Sequence, residues 1–387
     1  MIDPFARRQF LRFLAASPLA TLPADFSWAY PERAVPGNLN EVLNIFQLDQ
    51  VAQRTLSPDA YHFIVGAADD GASNRANREA YKKVSLRPRR LVDVSNIDMS
   101  VKLFGKRYAS PVILAPVGDQ QKINADGELA TAQAALRQAS LMICSMMTNA
   151  SIGEIASVGG AYWFQLYPSA NRSFMKKLMD DAKVAGCDTI VLTVDGPVRG
   201  NHEASRWFRL TRDRSQEQRQ VRLGNFENFA GSKGIGDPSL SWDDLAWFRD
   251  NTSLNFILKG IVTREDAKLC HKYGVDGVVV SNHGGRQEGS GRGTLEVLPE
   301  IVKELKGRMP ILMDGGIRRG SDAYKALAQG ADAICIGRPY LWGLGAYGQE
   351  GVDKCLRILN AELKRTMQFA GTLNLASINT ETIYVND

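Results

Sequence analysis

From Pro111 onward the chain alternates short, β-branched apolar runs with longer segments of helical spacing. The runs are Pro111–Ala115, Leu141–Ser145, Tyr162–Leu166, Thr189–Val194, Asn255–Lys259, Gly277–Ser281, Pro310–Asp314 and Ala333–Gly337. Runs this short and this uniformly apolar fit strands buried on both faces of a parallel sheet. Between most of them, apolar residues recur at three- and four-residue intervals, over Gly127–Gln138, Ser173–Ala185, Arg264–Tyr273, Leu295–Leu305 and Ser321–Gln329. Eight strands alternating with helices, at roughly thirty residues per unit, predict an α/β fold, a single (β/α)8 TIM barrel. A doubly wound open sheet is the competitor, but it would more often carry G-x-G-x-x-G after its first strand. No such motif follows Pro111–Ala115.

Ahead of this rhythm, residues 40–68 carry apolar positions at Val42, Ile45, Phe46, Val51, Tyr61, Phe63 and Ile64. That spacing predicts an N-terminal helical extension, with Ser57-Pro58 opening its second helix and Gly66-Ala67-Ala68-Asp69-Asp70 closing it. Residues 71–110 are polar and mixed and read as a preamble without repeating units. One connection is long: Gly196 to Trp242 reads as irregular and carries Arg206, Arg209, Arg212, Arg214, Arg219 and Arg222. A loop of that length is a lid, a contact surface or a solvated basic segment. The barrel domain is expected over 40–371, with 372–387 as a C-terminal tail.

The first residues call for a different reading. Arg7-Arg8-Gln9-Phe10-Leu11-Arg12 leads into Phe13-Leu14-Ala15-Ala16-Ser17-Pro18-Leu19-Ala20. Paired arginines, an apolar follow-on and small residues resemble a twin-arginine export signal over 1–29, although Pro18 breaks its brief apolar stretch. This predicts a periplasmic protein exported in its folded state; the alternative is a short basic amphipathic start to a cytoplasmic protein.

Composition narrows the classes further. The chain has 387 residues, 44% hydrophobic and 23% charged, which suffices for a large globular core. Its 47 basic and 42 acidic residues leave a net charge of only +5, spread along the chain, so no nucleic-acid partner is indicated. The five cysteines show no C-x-x-C pairing, and their odd number argues for core residues over a disulfide framework. No apolar run is long enough to span a bilayer.

The candidate chemistry lies at the C-terminal ends of the runs, where a barrel presents side chains to substrate. After Gly277–Val280 comes Ser281-Asn282-His283-Gly284-Gly285-Arg286-Gln287. A histidine there can move a proton near neutral pH, and an arginine can hold a carboxylate through two hydrogen bonds. The other ends supply Pro116, Val117 and Gly118, then Ser145, Gln165, Tyr167, Thr193, Asp195 and Lys259. The last two runs lead into Asp314-Gly315-Gly316-Ile317-Arg318 and Gly337-Arg338. Glycines and arginines after strands seven and eight suit a phosphate monoester held by backbone N–H groups and guanidinium.

On these motifs the chain resembles the FMN-dependent 2-hydroxy-acid oxidase and dehydrogenase family. The likeness runs from about Asn40 to Gly371, and Phe164-Gln165-Leu166-Tyr167, Leu192-Thr193-Val194-Asp195 and Leu258-Lys259-Gly260 also carry it. It implies FMN as cofactor. Asp314, Gly315, Gly316, Arg318, Gly337 and Arg338 would hold its phosphate and ribityl chain. Pro116, Val117, Gly118, Ser145, Gln165, Thr193, Lys259 and Ser281 would line its ring. His283 would take the substrate hydroxyl proton, Asp195 would orient His283, Arg286 would clamp the carboxylate, and Tyr167 would bond the reacting oxygen. The product would be the 2-oxo acid of an (S)-2-hydroxy acid. Re-oxidation would fall to oxygen or to an electron carrier such as a cytochrome or quinone, and the assembly would be a homotetramer.

Five positions depart from the family's pattern. His62 stands for the usual tyrosine, His202 for an arginine, Met147 for an aromatic residue, and Glu288-Gly289 for Leu-Asp. His62, His202 and Met147 are therefore substrate-pocket residues in an altered form, pointing to a larger substrate, one bound to a carrier or peptide, or a flavin-binding homologue without catalysis. The sequence leaves one other role open for Lys259, a Schiff-base nucleophile in an aldolase. That role gives His283, Arg286 and the phosphate motif no joint purpose. Nothing in the spacing of the four histidines asks for a metal.

Overall fold

The eight apolar runs form eight parallel strands that close on themselves: β1 Val112–Leu114, β2 Met142–Ser145, β3 Tyr162–Leu166, β4 Thr189–Thr193, β5 Asn255–Ile261, β6 Gly277–Val280, β7 Ile311–Asp314 and β8 Ala333–Ile336. β8 pairs with β1 through Cys335 opposite Ile113, which closes the ring. A computed structural model describes residues 35–386 apart from 212–220, 228, 232 and 233. The export-signal segment 1–29 lies outside the described residues, as do Arg212, Arg214 and Arg219 of the long connection.

Helices cover the outside of the ring. The extension supplies α1 Ile45–Thr55, α2 Pro58–Val65 and α3 Ala72–Glu79. Ser57 caps α2 as its sequence predicts, its hydroxyl accepting from Ala60 N with Pro58 in the first turn. The barrel helices are α4 Gly127–Arg137, α5 Ile152–Ala156, α6 Arg172–Val184, α7 Glu203–Thr211, α8 Leu245–Asp250, α9 Arg264–Lys272, α10 Thr294–Leu305, α11 Gly320–Ala328 and α12 Arg338–Ala370. Side chains alternate along each strand, so Ile190 and Leu192 pack outward on the helices while Val191 packs inward.

The interior core is small and closed at its N-terminal end. Ile143, Trp163, Val191, Ile257, Val279 and Leu312 meet there with Val101, Leu103 and Tyr108. The last three come from a hairpin, Val101–Leu103 paired with Lys106–Tyr108, that plugs the bottom of the barrel. Phe104 at its turn lies 5.5 Å, centroid to centroid, from Trp163.

One sequence expectation needs correction: the Gly196–Trp242 connection is not wholly irregular, because it contains α7. The 71–110 preamble holds α3 and this hairpin. In the C-terminal segment 372–387, Ile383–Val385 pairs antiparallel with Val84–Leu86, Val84 opposite Val385.

Candidate active site

Strand parity decides what fills the upper barrel. Two residues beyond the inward-facing Ile143, Trp163, Val191, Ile257 and Val279 lie Ser145, Gln165, Thr193, Lys259 and Ser281, all buried. Each therefore enters the same interior, nearer the C-terminal mouth. Burying polar groups is costly unless they pair, and these do. Ser145 Oγ donates to Gln165 Oε1 at 2.8 Å, and Gln165 Nε2 donates to Thr193 Oγ1 at 3.0 Å. On the opposite side Lys259 Nζ donates to Ser281 Oγ at 2.8 Å, which donates to Asp314 Oδ2 at 2.9 Å.

Lys259 also lies 3.4 Å from Asp314 Oδ2 and 3.8 Å from Asp195 Oδ2. Burial alone would push its ammonium down, but the two carboxylates outweigh burial and hold it above its ordinary value. A lysine kept cationic is a poor Schiff-base nucleophile, which removes the aldolase alternative.

Asp195 stands two residues past Thr193, where β4 has ended. A bulge at Gly260 in β5 makes room for it: Gly260 has φ +113°, and a Cβ there would lie 2.7 Å from Asp195 Cβ. His283 is thrown toward Asp195 by three successive left-handed residues, His283 (φ +56°), Gly284 and Gly285. His283 Nδ1 and Asp195 Oδ1 are 2.8 Å apart. An ionised carboxylate only accepts, so Nδ1 carries the hydrogen and Nε2 is left to receive one. Burial raises the Asp195 carboxyl, but His283 and Lys259 together bring it below its ordinary value, so it stays ionised. Tyr167 OH lies 3.3 Å from His283 Nε2, and burial pushes its phenol up to about 12, so it acts as a neutral hydroxyl.

Ser145, Tyr167, Lys259, His283 and Asp314 border a cavity of about 920 Å³ at the barrel mouth. Its inner part is walled by Val117, Gly118, Ser145 and Lys259, then by Asp314, Gly315, Gly316, Arg318, Gly337 and Arg338. Its outer part is walled by Tyr167, His283 and Arg286, with Phe63, Met147, Arg199 and His202 around them.

Residues 52–385 match the family profile described as FMN-dependent dehydrogenase. The chain belongs to that family. A 2-hydroxyacid oxidase of Dictyostelium discoideum is 37% identical to it over 353 residues, covering 89% of this chain and 91% of that protein. A peroxisomal (S)-2-hydroxyacid oxidase of Arabidopsis thaliana is 40% identical over 348 residues, 86% and 94% of the two chains. An L-lactate oxidase of Nostoc sp. is 36% identical over 370 residues, 90% and 99%. Among solved structures, mandelate oxidase with benzoyl-formic acid is similar at a TM-score of 0.82 and 34% identity, covering 89% of this chain and 98% of that one.

The inner cavity fits the FMN that gives the family its name. Asp314 Oδ1 is buried on the wall with no hydrogen-bond partner among the described residues, an acceptor suited to a ligand hydroxyl. Space above Gly337 is open, for a Cβ there would meet nothing within 4 Å, and α12 begins at the next residue. A helix N-terminus beside the buried Arg318 suits a phosphate. Arg318 stacks 4.7 Å over the Trp342 ring, and burial lowers its guanidinium to about 10, which leaves it charged at neutral pH.

Most residues expected for this FMN-dependent dehydrogenase come together, with four refinements. Gln165, Ser281 and Asp195 stand one hydrogen bond behind the cavity wall instead of on it, and Thr193 stands two behind, through Gln165. Arg338 lines the cavity, yet it donates to three backbone carbonyls, Ile64 and Gly66 at the end of α2 and Gly284 beside His283. It is a brace as much as a ligand. His62 is not on the cavity wall: its neighbour Phe63 is, with Arg286 5.8 Å from the ring centroid. His202 does border the cavity, but its Nε2 lies 2.7 Å from Arg286 O, and burial followed by the Arg286 charge lowers its imidazole. It supports the clamp as a neutral donor and does not replace an arginine's charge. The sequence reading passed over Phe63 as a site residue and Arg199 altogether. Phe63 had a core periodicity to explain it, and Arg199 sits in the long connection without a motif.

Proposed function

We propose that the chain, loaded with FMN, oxidises an (S)-2-hydroxy acid to the 2-oxo acid. The observation that carries this reading is the His283–Asp195 pair, with Nε2 turned to Tyr167 and Arg286 on the same wall. FMN, when bound, supplies the two-electron acceptor for the hydrogen on the substrate α-carbon. Arg286 holds the substrate carboxylate and fixes which end of the molecule enters. Its Nη1 already donates to Gly66 O at 2.8 Å, which aims the guanidinium and leaves donors for a carboxylate. His283 Nε2 receives the hydroxyl proton, and Asp195 stabilises the imidazolium that results. Tyr167 donates to the same substrate oxygen. Lys259 places positive charge at the inner end of the cavity, where it favours a reduced, anionic cofactor. Met147 at the pocket wall and the open outer cavity favour substrates larger than a two-carbon acid.

The test is an anaerobic visible spectrum of the purified yellow protein, recorded before and after adding a panel of 2-hydroxy acids. Bleaching by at least one (S)-acid and by none of the (R)-acids is expected. A protein that stays yellow with every member has no such activity.

The finer points of the reading are also proposals. Electrons leave to oxygen or to a periplasmic carrier, told apart by oxygen uptake against dye reduction, and the assembly is a homotetramer. Export rests on Arg7-Arg8 and the apolar segment that follows. Replacing both arginines by lysine should leave the protein in the cytoplasmic fraction with its FMN and activity intact. Unchanged periplasmic recovery would remove the export signal from the reading.

A further inference from the structure

Beyond the carboxylate clamp, the outer cavity opens past Arg199 and His202 into a second hollow of about 470 Å³, lined by Arg199, Gly200, Asn201, His202 and Arg206. Arg199 and His202 border both spaces. Their electrostatic roles differ. His202 is spent on Arg286 O and is held toward its neutral form, so it offers no net charge. Arg199 is exposed, and among the described residues it has neither a hydrogen bond nor an ion pair. Its charge nevertheless reaches inward, where it opposes the charge of Arg286 and disfavours protonation of His202. Asn201 Nδ2 on its wall donates to Asp69 Oδ1 and to Glu203 Oε1, each at 3.0 Å, and neither carboxylate is bonded to Arg199. Arg206 Nη1 donates to Asn201 Oδ1 at 3.3 Å and completes a basic rim.

A single-carboxylate substrate held by Arg286 leaves Arg199 with neither a hydrogen bond nor an ion pair among the described residues. We propose that Arg199 is a specificity-determining residue, and that the preferred substrates are 2-hydroxy acids bearing a second anionic group, such as 2-hydroxy dicarboxylates. The first carboxylate lies on Arg286 and the second, at the far end of the side chain, on Arg199. The inference rests on the 2-hydroxy-acid reading and names the substrate class of that same site. Nothing about the chemistry at the α-carbon changes. The second anion adds a contact made equally in the bound state and in the transition state, so it acts on KM and not on kcat.

The experiment is equilibrium binding of two 2-oxo acids to the FMN-loaded protein, followed by calorimetry and by the flavin difference spectrum. The pair is 2-oxoglutarate and 5-methyl-2-oxohexanoate, alike in shape, with an anionic end in the first and an isopropyl end in the second. The dianion should bind about tenfold more tightly, and added salt should shrink that ratio. In Arg199→Gln the ratio should fall to about one, with the matching dianionic 2-hydroxy acid showing a raised KM and little change in kcat. Equal affinity in the wild-type protein, or a preference that survives Arg199→Gln, overturns the proposal. If neither acid binds, the 2-hydroxy-acid reading falls along with it. If only the isopropyl acid binds, that reading stands and the role of Arg199 is lost.

Discussion

Replacing His283 by asparagine should lower turnover by about 10²–10⁴-fold while the protein stays yellow and folded. Asparagine is the informative choice because residue 283 has φ +56°, a conformation it tolerates better than alanine does. The following Gly284 and Gly285 can then keep their places, and the variant tests the imidazole alone. No FMN loss is expected, since the groups that fit FMN are Lys259, Asp314, Arg318 and the Gly337 opening, and none of them hydrogen-bonds His283 in the structure. Asp195 loses the imidazole N–H it accepts from in the variant and keeps Lys259 at 3.8 Å. In the native protein its carboxyl is held below its ordinary value, so it stabilises the fold above the usual carboxylate range and that contribution fades as pH falls through it. The variant should therefore lose stability at neutral pH and show a weaker decline on acidification. Turnover near the native rate, with FMN bound, would exclude His283 as the base.

The same residue illustrates what sequence could and could not convey. Each of the eight strands lies within two residues of an apolar run, because strands buried on both faces leave an unmixed apolar signature. Parity along those runs then points Ser145, Gln165, Lys259 and Ser281 inward, so the polar ring was legible before any coordinates. α3 was not legible, for a physical reason: its sequence ASNRANRE has no apolar stripe. It is held instead by buried polar contacts. Asn77 Nδ2 donates to Asn282 Oδ1 at 2.8 Å, Asn282 Nδ2 donates back at 3.0 Å, and Thr294 N donates to Asn77 Oδ1 at 3.0 Å. Hydrophobic periodicity cannot report a helix whose packing is made of amides. The hairpin 101–108 escaped for a related reason, since its strands are three residues long and one of them is Lys-Arg-Tyr. Arg338 was found as a site residue with half of its role missing, because sequence cannot reveal which carbonyls lack donors.

That missing half leads to a second large effect. Arg338→Met should lower the stability of the protein by roughly 2–4 kcal/mol and weaken FMN binding with it. Methionine keeps the length and apolar stem of arginine but donates nothing. Three carbonyls lose a donor: Ile64 O at 3.1 Å, Gly284 O at 2.9 Å and Gly66 O at 2.8 Å. Gly66 O retains Arg286 Nη1, so two are left without a partner, at about 1–3 kcal/mol each. Part of this cost is offset, because a guanidinium buried deeply enough to have its pKa pushed well down no longer has to be desolvated. The carbonyls belong to the C-terminal turn of α2 and to the loop that carries His283, while Arg338 itself opens α12 beside the Gly337 space. One side chain thus ties the extension, the His283 loop and the Gly337 end of the cavity together. Thermal melting with and without added FMN reads the effect. The apoprotein should melt several degrees lower, and excess FMN should recover only part of the loss, since added ligand stabilises only in proportion to its remaining affinity. Unchanged melting combined with weak FMN binding would make Arg338 a ligand alone. Lowered melting with native FMN affinity would make it a brace alone. Both effects together are what its three bonds and its place on the cavity wall require.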